Sequence, residues 1–214
     1  MKQIRFFLDF VSPYAYLAFE ELPRALQGLS YAVHYVPVGL GFVLRHHGSL
    51  GPAEIPAKRD WTYRHVMWLA HNRGVALDMP LLHPFNPMAL LRLAVATDPR
   101  GEPNRYVCET LFRHVWVGGA DPTDLARLKE VADTLVPQRD AADESVKAQL
   151  KQHTDQAIAL DVFGVPAFEV DGKVFWGLDA LPMLRSYLEG DAWFSDVNWN
   201  ASHAVPSALP PRKP

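Results

Sequence analysis

A chain of 214 residues that is 49% hydrophobic and 21% charged can bury a substantial core, so a compact globular protein is the starting point. A formal charge of −3, with no run of lysine or arginine, excludes the electrostatic footprint of a nucleic-acid or membrane-surface binder and leaves a small molecule as the expected partner. Cys108 is the only cysteine, which excludes an internal disulfide framework and dithiol redox chemistry and fits a reducing, cytoplasmic setting.

The N-terminal segment MKQIRFFLDF alternates from its third residue and lacks the apolar block and small-residue cleavage site of a secretory leader. No stretch approaches the roughly 18 apolar residues of a membrane-spanning helix. Ile4, Phe6, Leu8 and Phe10 fall at every second position with Phe7 on the other face, which predicts a strand over 4–10 buried on both sides. Ser12-Pro13 then joins an N-cap residue to a proline at the first helical position. Ala18, Leu22, Ala25, Leu26 and Leu29 recur at helical spacing, and Gly28 lies near the end. Tyr31 to Val38, rich in β-branched and aromatic residues, reads as a second strand.

From Gly39 to about His153 the helical pattern dominates, with segments near 54–74, 87–97, 103–117, 122–136 and 140–160 and no convincing strand. Asp121-Pro122 is a helix start, and Pro80, Pro84 and Pro87 confine one loop. Ala167–Val170 and Lys173–Trp176 are short strands around Asp171-Gly172, a dipeptide suited to a type I′ turn. A final helix is expected from about Ala180 to Leu188 with Asp179 as its cap. Ser195 to Pro214, rich in Ser, Asn, Ala and Pro, reads as a loosely held tail.

This order, β-α-β, then a helical block, then β-β-α, describes an α/β chain with a thioredoxin-like core split by a helical insertion; a doubly wound fold would need strands through the middle. The expected units are a discontinuous thioredoxin-like domain at 1–38 and 160–194, an inserted helical domain at 39–159 and the tail at 195–214.

The chemistry concentrates where the first strand runs into the first helix, at Asp9-Phe10-Val11-Ser12-Pro13-Tyr14-Ala15-Tyr16-Leu17. This segment is similar to the active-site opening of the 2-hydroxychromene-2-carboxylate isomerases and kappa-class glutathione transferases, in the DsbA-like branch of the thioredoxin superfamily. The positions that carry Cys-x-x-Cys in dithiol relatives are Ser12 and Ala15 here, so disulfide exchange is not available. A helix N-terminus offers unpaired backbone N–H groups and a dipole that favours an anion, and a hydroxyl adds one more donor. Ser12 is therefore suited to stabilise the thiolate of an external thiol, although a serine at this place also serves as a plain helix cap.

Val162 to Phe168, followed by Val170 to Asp179, resembles the same family's second motif. The resemblance implies a cis Val165-Pro166 bond facing the first helix, with the Val165 backbone free to pair with the cysteinyl backbone of glutathione. It also places Leu178 and Asp179 at the γ-glutamyl end. Ser49 stands where a glutathione-contacting asparagine is common, and Ala180 replaces an arginine. In the insertion, Lys58, Trp61, Asn86 and Arg92 are the substrate-side candidates, Arg92 for a carboxylate. His65 and Trp68 occupy positions where the family often has an aspartate and an arginine. The resemblance spans residues 3–190.

The implied activity is glutathione-dependent conversion of 2-hydroxychromene-2-carboxylate to trans-o-hydroxybenzylidenepyruvate in aromatic-compound degradation. Glutathione acts as a recycled nucleophile, and the partner is a small aromatic 2-oxo acid or chromene carboxylate. A kappa-like transferase releasing a conjugate and a non-catalytic glutathione- or peptide-binding protein are the alternatives, and a homodimer stays open. The nine histidines form no metal-ligand motif, and no metal is expected; His65 is a candidate pocket wall. Ser12 lies in no GxSxG elbow, which argues against a serine hydrolase.

Overall fold

The computed structural model describes residues 1–206 and 208. Strand β1 (Lys2–Leu8) leads into helix α1 (Pro13–Ala25) and strand β2 (Tyr31–Pro37), which pairs parallel to β1 with Tyr35 opposite Phe6. Six helices follow: α2 (Leu40–His46), α3 (Pro56–Arg73), α4 (Met88–Ala96), α5 (Arg105–Trp116), α6 (Leu125–Leu135) and α7 (Glu144–Ala159). The chain then returns to the sheet as β3 (Ala167–Val170) and β4 (Lys173–Trp176) before α8 (Leu181–Leu188) and a short α9 (Asp196–Asn200). The strand order is β2-β1-β3-β4, with β3 antiparallel to both of its neighbours.

The alternation in β1 decides what lies on each face of this sheet. Ile4, Phe6 and Leu8 are fully buried, and Phe6 packs on Phe168 of β3 at 4.6 Å between ring centres. Phe19 of α1 touches Tyr35 of β2 and Phe112 of α5, so α1 and α5 cover this face. Burying each such aromatic contributes roughly 1.5–3 kcal/mol, which is why the residue-by-residue alternation fixes the register of the sheet. Gln3, Arg5 and Phe7 point to the opposite face, which α7 partly covers through its contacts with β2.

Several boundaries differ from the sequence expectation, each for a local reason. Strand β1 stops at Leu8 because the Asp9 carboxylate takes the Val11 N–H (3.1 Å), and the Ser12 N–H bonds back to the Asp9 carbonyl, which turns the chain before Phe10. Helix α6 is capped by Asp124, whose carboxylate accepts the Arg127 N–H, whereas Asp121 folds onto the N–H and hydroxyl of Thr123. Helix α2 follows directly on Gly39, and the sequence segments begin only beyond it.

Asp179 does not cap the last helix. It sits in a 3-10 turn, Leu178–Ala180, opened by Gly177 at φ 103°, and α8 begins only at Leu181 with no side-chain cap. The Asp171-Gly172 turn has both residues at positive φ, 51° and 82°, as a type I′ hairpin requires. Where a loose tail was expected, the aromatic residues Phe194 and Trp199 pack on Phe175 at 6.0 and 5.4 Å and fold the segment into short helical turns. The last part of that expected tail lies outside the described residues.

Cys108 faces the core from α5 with no exposed surface, and burial pushes its thiol pKa up. We expect the native protein not to react with a thiol reagent such as Ellman's reagent and to release one equivalent of chromophore per chain only in denaturant. Rapid labelling of the native chain would contradict the burial of this side chain.

Candidate functional site

The site is built where β1 ends. The Asp9 carboxylate, with no exposed surface, accepts the N–H of Val11 at 3.1 Å and that of Leu40, the first residue of α2, at 2.9 Å. Burial raises its pKa from 3.8 to about 7, against the lowering effect of these backbone donors. The next two carbonyls are held from the insertion. The Trp116 indole N–H donates to Phe10 O at 3.0 Å, and His83 Nε2 lies 2.8 Å from Val11 O. Because a carbonyl only accepts, Nε2 carries the hydrogen, and Nδ1 is left as an acceptor that shares the one Tyr63 hydroxyl hydrogen, at 2.7 Å, with the His83 carbonyl at 2.8 Å. Burial lowers the His83 pKa, which keeps this neutral arrangement. Three side chains thus fix the backbone of Asp9 to Val11 ahead of Ser12.

Ser12 occupies the N-cap of α1 and is 6% exposed. Its hydroxyl accepts the Ala15 N–H at 3.2 Å and donates to Val165 O at 3.4 Å. The cap is therefore real, and the same oxygen also reaches across to the loop before β3. The second contact is long for an O–H···O bond and correspondingly weak. Pro13 has no N–H, and the Tyr14 N–H finds no partner within the chain among the described residues.

Val165-Pro166 is a cis bond, as the motif implies. The expectation that the whole Val165 backbone is free needs correction: its carbonyl takes the Ser12 hydroxyl, while its N–H is unpaired among the described residues. The Gly177 N–H bonds to Pro166 O at 2.9 Å, which brings the turn of Leu178 and Asp179 alongside. Asp179 is exposed and makes no ion pair with any described residue, and its charge helps burial to raise the Tyr14 pKa. Ser12, Val165, Pro166, Leu178 and Asp179 therefore share one corner of the fold.

The Tyr14 hydroxyl meets His65 Nδ1 of α3 at 2.9 Å. His65 in turn lies between Trp61 and Trp68 in a near-parallel stack, with ring centres 6.0 and 6.4 Å apart and interplanar angles of 13° and 12°. Both tryptophans are more than half exposed, so the ladder has no core to fill. Lys58 lies on the first turn of the same helix without an ion-pair partner among the described residues. The remaining candidates stand apart. Ser49 is exposed, its N–H bonds to Leu44 O at 2.9 Å, and its hydroxyl reaches His47 O at 3.5 Å. Asn86 Oδ1 receives the Met88 N–H at the start of α4. Arg92 has a buried, unpartnered Nε, and its charge adds slightly to the lowering of the Glu144 pKa at the start of α7.

His83 was the residue that pattern reading missed. Its signal was a histidine beside Pro84 in a proline-confined loop, and only tertiary structure shows that the loop closes on Val11.

A strand-to-helix turn facing a cis-proline loop across a β2-β1-β3-β4 sheet defines a thioredoxin-type protein, here with a hydroxyl in place of the thiol. The chain belongs to the family of DsbA-like thioredoxin domains, whose model matches residues 3–189. It is 29% identical over 196 residues to a 2-hydroxychromene-2-carboxylate isomerase of Sphingobium xenophagum, covering 87% of this chain and 98% of that one. It is 26% identical over 211 residues to glutathione S-transferase kappa 2 of Caenorhabditis elegans, covering 87% and 92%. A solved 2-hydroxychromene-2-carboxylate isomerase superposes with a TM-score of 0.75 at 22% identity, covering 95% of this chain and all of the other. The relatives are isomerases and transferases, and the chain groups with enzymes. Among the described residues, no helix is long and apolar enough to cross a membrane.

Asp9 makes stability depend on pH in a defined direction. Its folded pKa lies above 3.8, so between that value and about 7 the folded chain holds more protons than the unfolded one and loses stability as pH rises. The loss amounts to a few kcal/mol at most, since each unit is worth about 1.4 kcal/mol. We expect urea unfolding at pH 5 and pH 8 to show this slope in the native chain and a smaller one in Asp9→Asn, whatever the variant's overall stability. Equal slopes would mean that Asp9 does not titrate in this window.

Proposed function

We propose that the chain is a glutathione-dependent cis-trans isomerase of a chromene carboxylate or related aromatic 2-oxo acid, with Ser12 as its catalytic residue. The observation that carries this reading is the Ser12 hydroxyl, which caps α1 and spans the gap to Val165 while its one proton sits in a long, weak bond.

The groups around it fit the tripeptide. The Val165 N–H has no intrachain partner and suits a peptide carbonyl laid alongside as an added strand. Exposed, unpaired Asp179 suits an ammonium, and Leu178 lies beside it in the same turn. When bound, glutathione supplies a thiol that adds reversibly to a conjugated alkene and so frees the geometry of the former double bond. The chain's part is to hold that sulfur as an anion. Ser12 turns its hydroxyl hydrogen away from Val165 O, the Tyr14 N–H adds a second donor, and the α1 dipole favours the negative charge. Lys58, on the first turn of α3 and without an ion-pair partner among the described residues, balances the substrate carboxylate. Trp61, stacked on His65, offers a flat apolar face to an aromatic ring.

A kappa-like transferase reading is favoured by the 26% identity to the kappa 2 enzyme, and it uses the same anion-stabilising corner. Net consumption of glutathione during turnover separates it from isomerisation, which returns the thiol.

Ser12→Ala is the decisive variant. A hydrogen bond to a charged group contributes about 1.5–3 kcal/mol, so turnover should fall by roughly one to two decades. Loss of the cap should cost only about 1 kcal/mol of stability, which leaves a typical domain folded. The ultraviolet absorbance of the bound thiolate should titrate at higher pH than in the native enzyme, and turnover should recover partly in alkali. Unchanged turnover and unchanged thiol titration would reduce Ser12 to a helix cap, and calorimetry without glutathione heat would remove the cofactor altogether.

A further inference from the structure

His83 reaches the Ser12 turn from the segment between α3 and α4. That segment is tied at its base to the end of α5, where the Asp78 N–H bonds to Trp116 O at 2.8 Å and the Asp78 carboxylate takes the Gly118 N–H at 2.9 Å. From this base the chain returns to the first turn and sets His83 Nε2 at 2.8 Å from Val11 O. The ring is held from several sides. The Tyr63 hydroxyl sits 2.7 Å from Nδ1, and the rings of Trp116 and Phe85 lie 5.4 and 6.3 Å away.

The Val11 carbonyl has no other partner among the described residues. Helical spacing would offer it the Ala15 N–H, four residues on, but that group is bound to the Ser12 hydroxyl at 3.2 Å. The α1 ladder opens one residue later, with the Tyr16 N–H on Ser12 O at 3.1 Å. Ser12 precedes a proline and stays extended at ψ 114°, so the ladder does not run back to include Val11. The other end of the same peptide unit is held by the Ser12 N–H on Asp9 O at 3.1 Å. A planar unit anchored at both its carbonyl and its N–H has a fixed orientation, and with it the direction in which the Ser12 side chain leaves the backbone. Without His83 one anchor remains, and an unpaired carbonyl oxygen stands one residue from the hydroxyl that is to hold an anion.

We propose that His83 is a positioning residue for Ser12: its donation to Val11 O fixes the Val11–Ser12 peptide, and so the hydroxyl, in the orientation that receives a thiolate. This role rests on the reading of Ser12 as the thiolate donor, while the positioning itself is measurable without any ligand.

The test compares the native chain with His83→Leu, which removes the donor, and His83→Gln, which keeps an amide N–H at the reach of Nε2. In the ligand-free chain, amide exchange followed by NMR should quicken roughly tenfold at Ser12 and Ala15 in His83→Leu, relative to the amides of β1 and β2, and return close to native in His83→Gln. With glutathione bound, the ultraviolet absorbance of the thiolate should titrate at higher pH in His83→Leu than in the native chain or His83→Gln. Added to Ser12→Ala, His83→Leu should shift that titration no further, as expected of a residue that acts through the hydroxyl. Where His83→Leu does not fold, Tyr63→Phe, which frees the ring on its Nδ1 side, takes its place with the same direction of change. Unchanged relative exchange at Ser12 and Ala15 in the folded variant, no rescue by glutamine, or a thiolate shift that adds in full to that of Ser12→Ala would overturn the proposal. The expected exchange pattern in a chain that binds no glutathione would support the positioning and remove the thiolate reading instead.

Discussion

The carboxylate of Asp9 is the constraint on which the rest of the architecture turns. One buried group takes the N–H of Val11 and the N–H of Leu40, so the end of β1 and the start of α2 are set by the same two oxygens. Removing a carboxylate from water is unfavourable, and here its raised pKa marks a cost that the backbone donors offset only in part. An apolar residue would avoid that cost but would leave the partly buried N–H groups of Val11 and Leu40 without this partner where the chain must change direction. The turn at Ser12 inherits its precision from this arrangement, reinforced by Trp116 and His83 on the carbonyls in between.

The same economy governs the Ser12 hydroxyl. A serine at an N-cap needs only to accept, and its proton is then available for another contact. In this fold that proton meets Val165 O across the cleft at a length that makes it easy to give up. Local helix chemistry and the proposed anion chemistry therefore do not compete for the same atom's capacity. A cysteine in this place would bring its own nucleophile; a serine can only assist one that arrives from outside.

What was legible in the sequence is what depends on short-range pattern. The alternation of Ile4, Phe6 and Leu8, the Ser12-Pro13 cap and the Asp171-Gly172 turn all have local physical signatures, and each appears where expected. The Asp121 and Asp179 caps were misplaced because any aspartate ahead of a helix carries the same local signal. Only the glycine at 177 and the side chain of Asp124 decide where the helices begin. Trp61 and His65 were legible as pocket candidates on α3, but the bond from Tyr14 to His65 and that from His83 to Val11 were not. Those bonds join residues 51 and 72 apart in the chain, which no window of sequence contains. The proposed site was thus readable as separate segments, while the contacts that join α3 and the His83 loop to the first turn were not.

The packing of the C-terminal segment has a consequence for the sheet itself. Strand β4 is an outer strand, and an unprotected outer strand is a template for pairing with another chain. Here it is only four residues long, Lys173 on it is held by Asp196, and Trp199 lies over both the Lys173 ammonium and the Phe175 ring. The segment after α8 thus covers one face of β4 with charge and aromatic bulk, and the shortness of the strand limits the edge that it offers a neighbour.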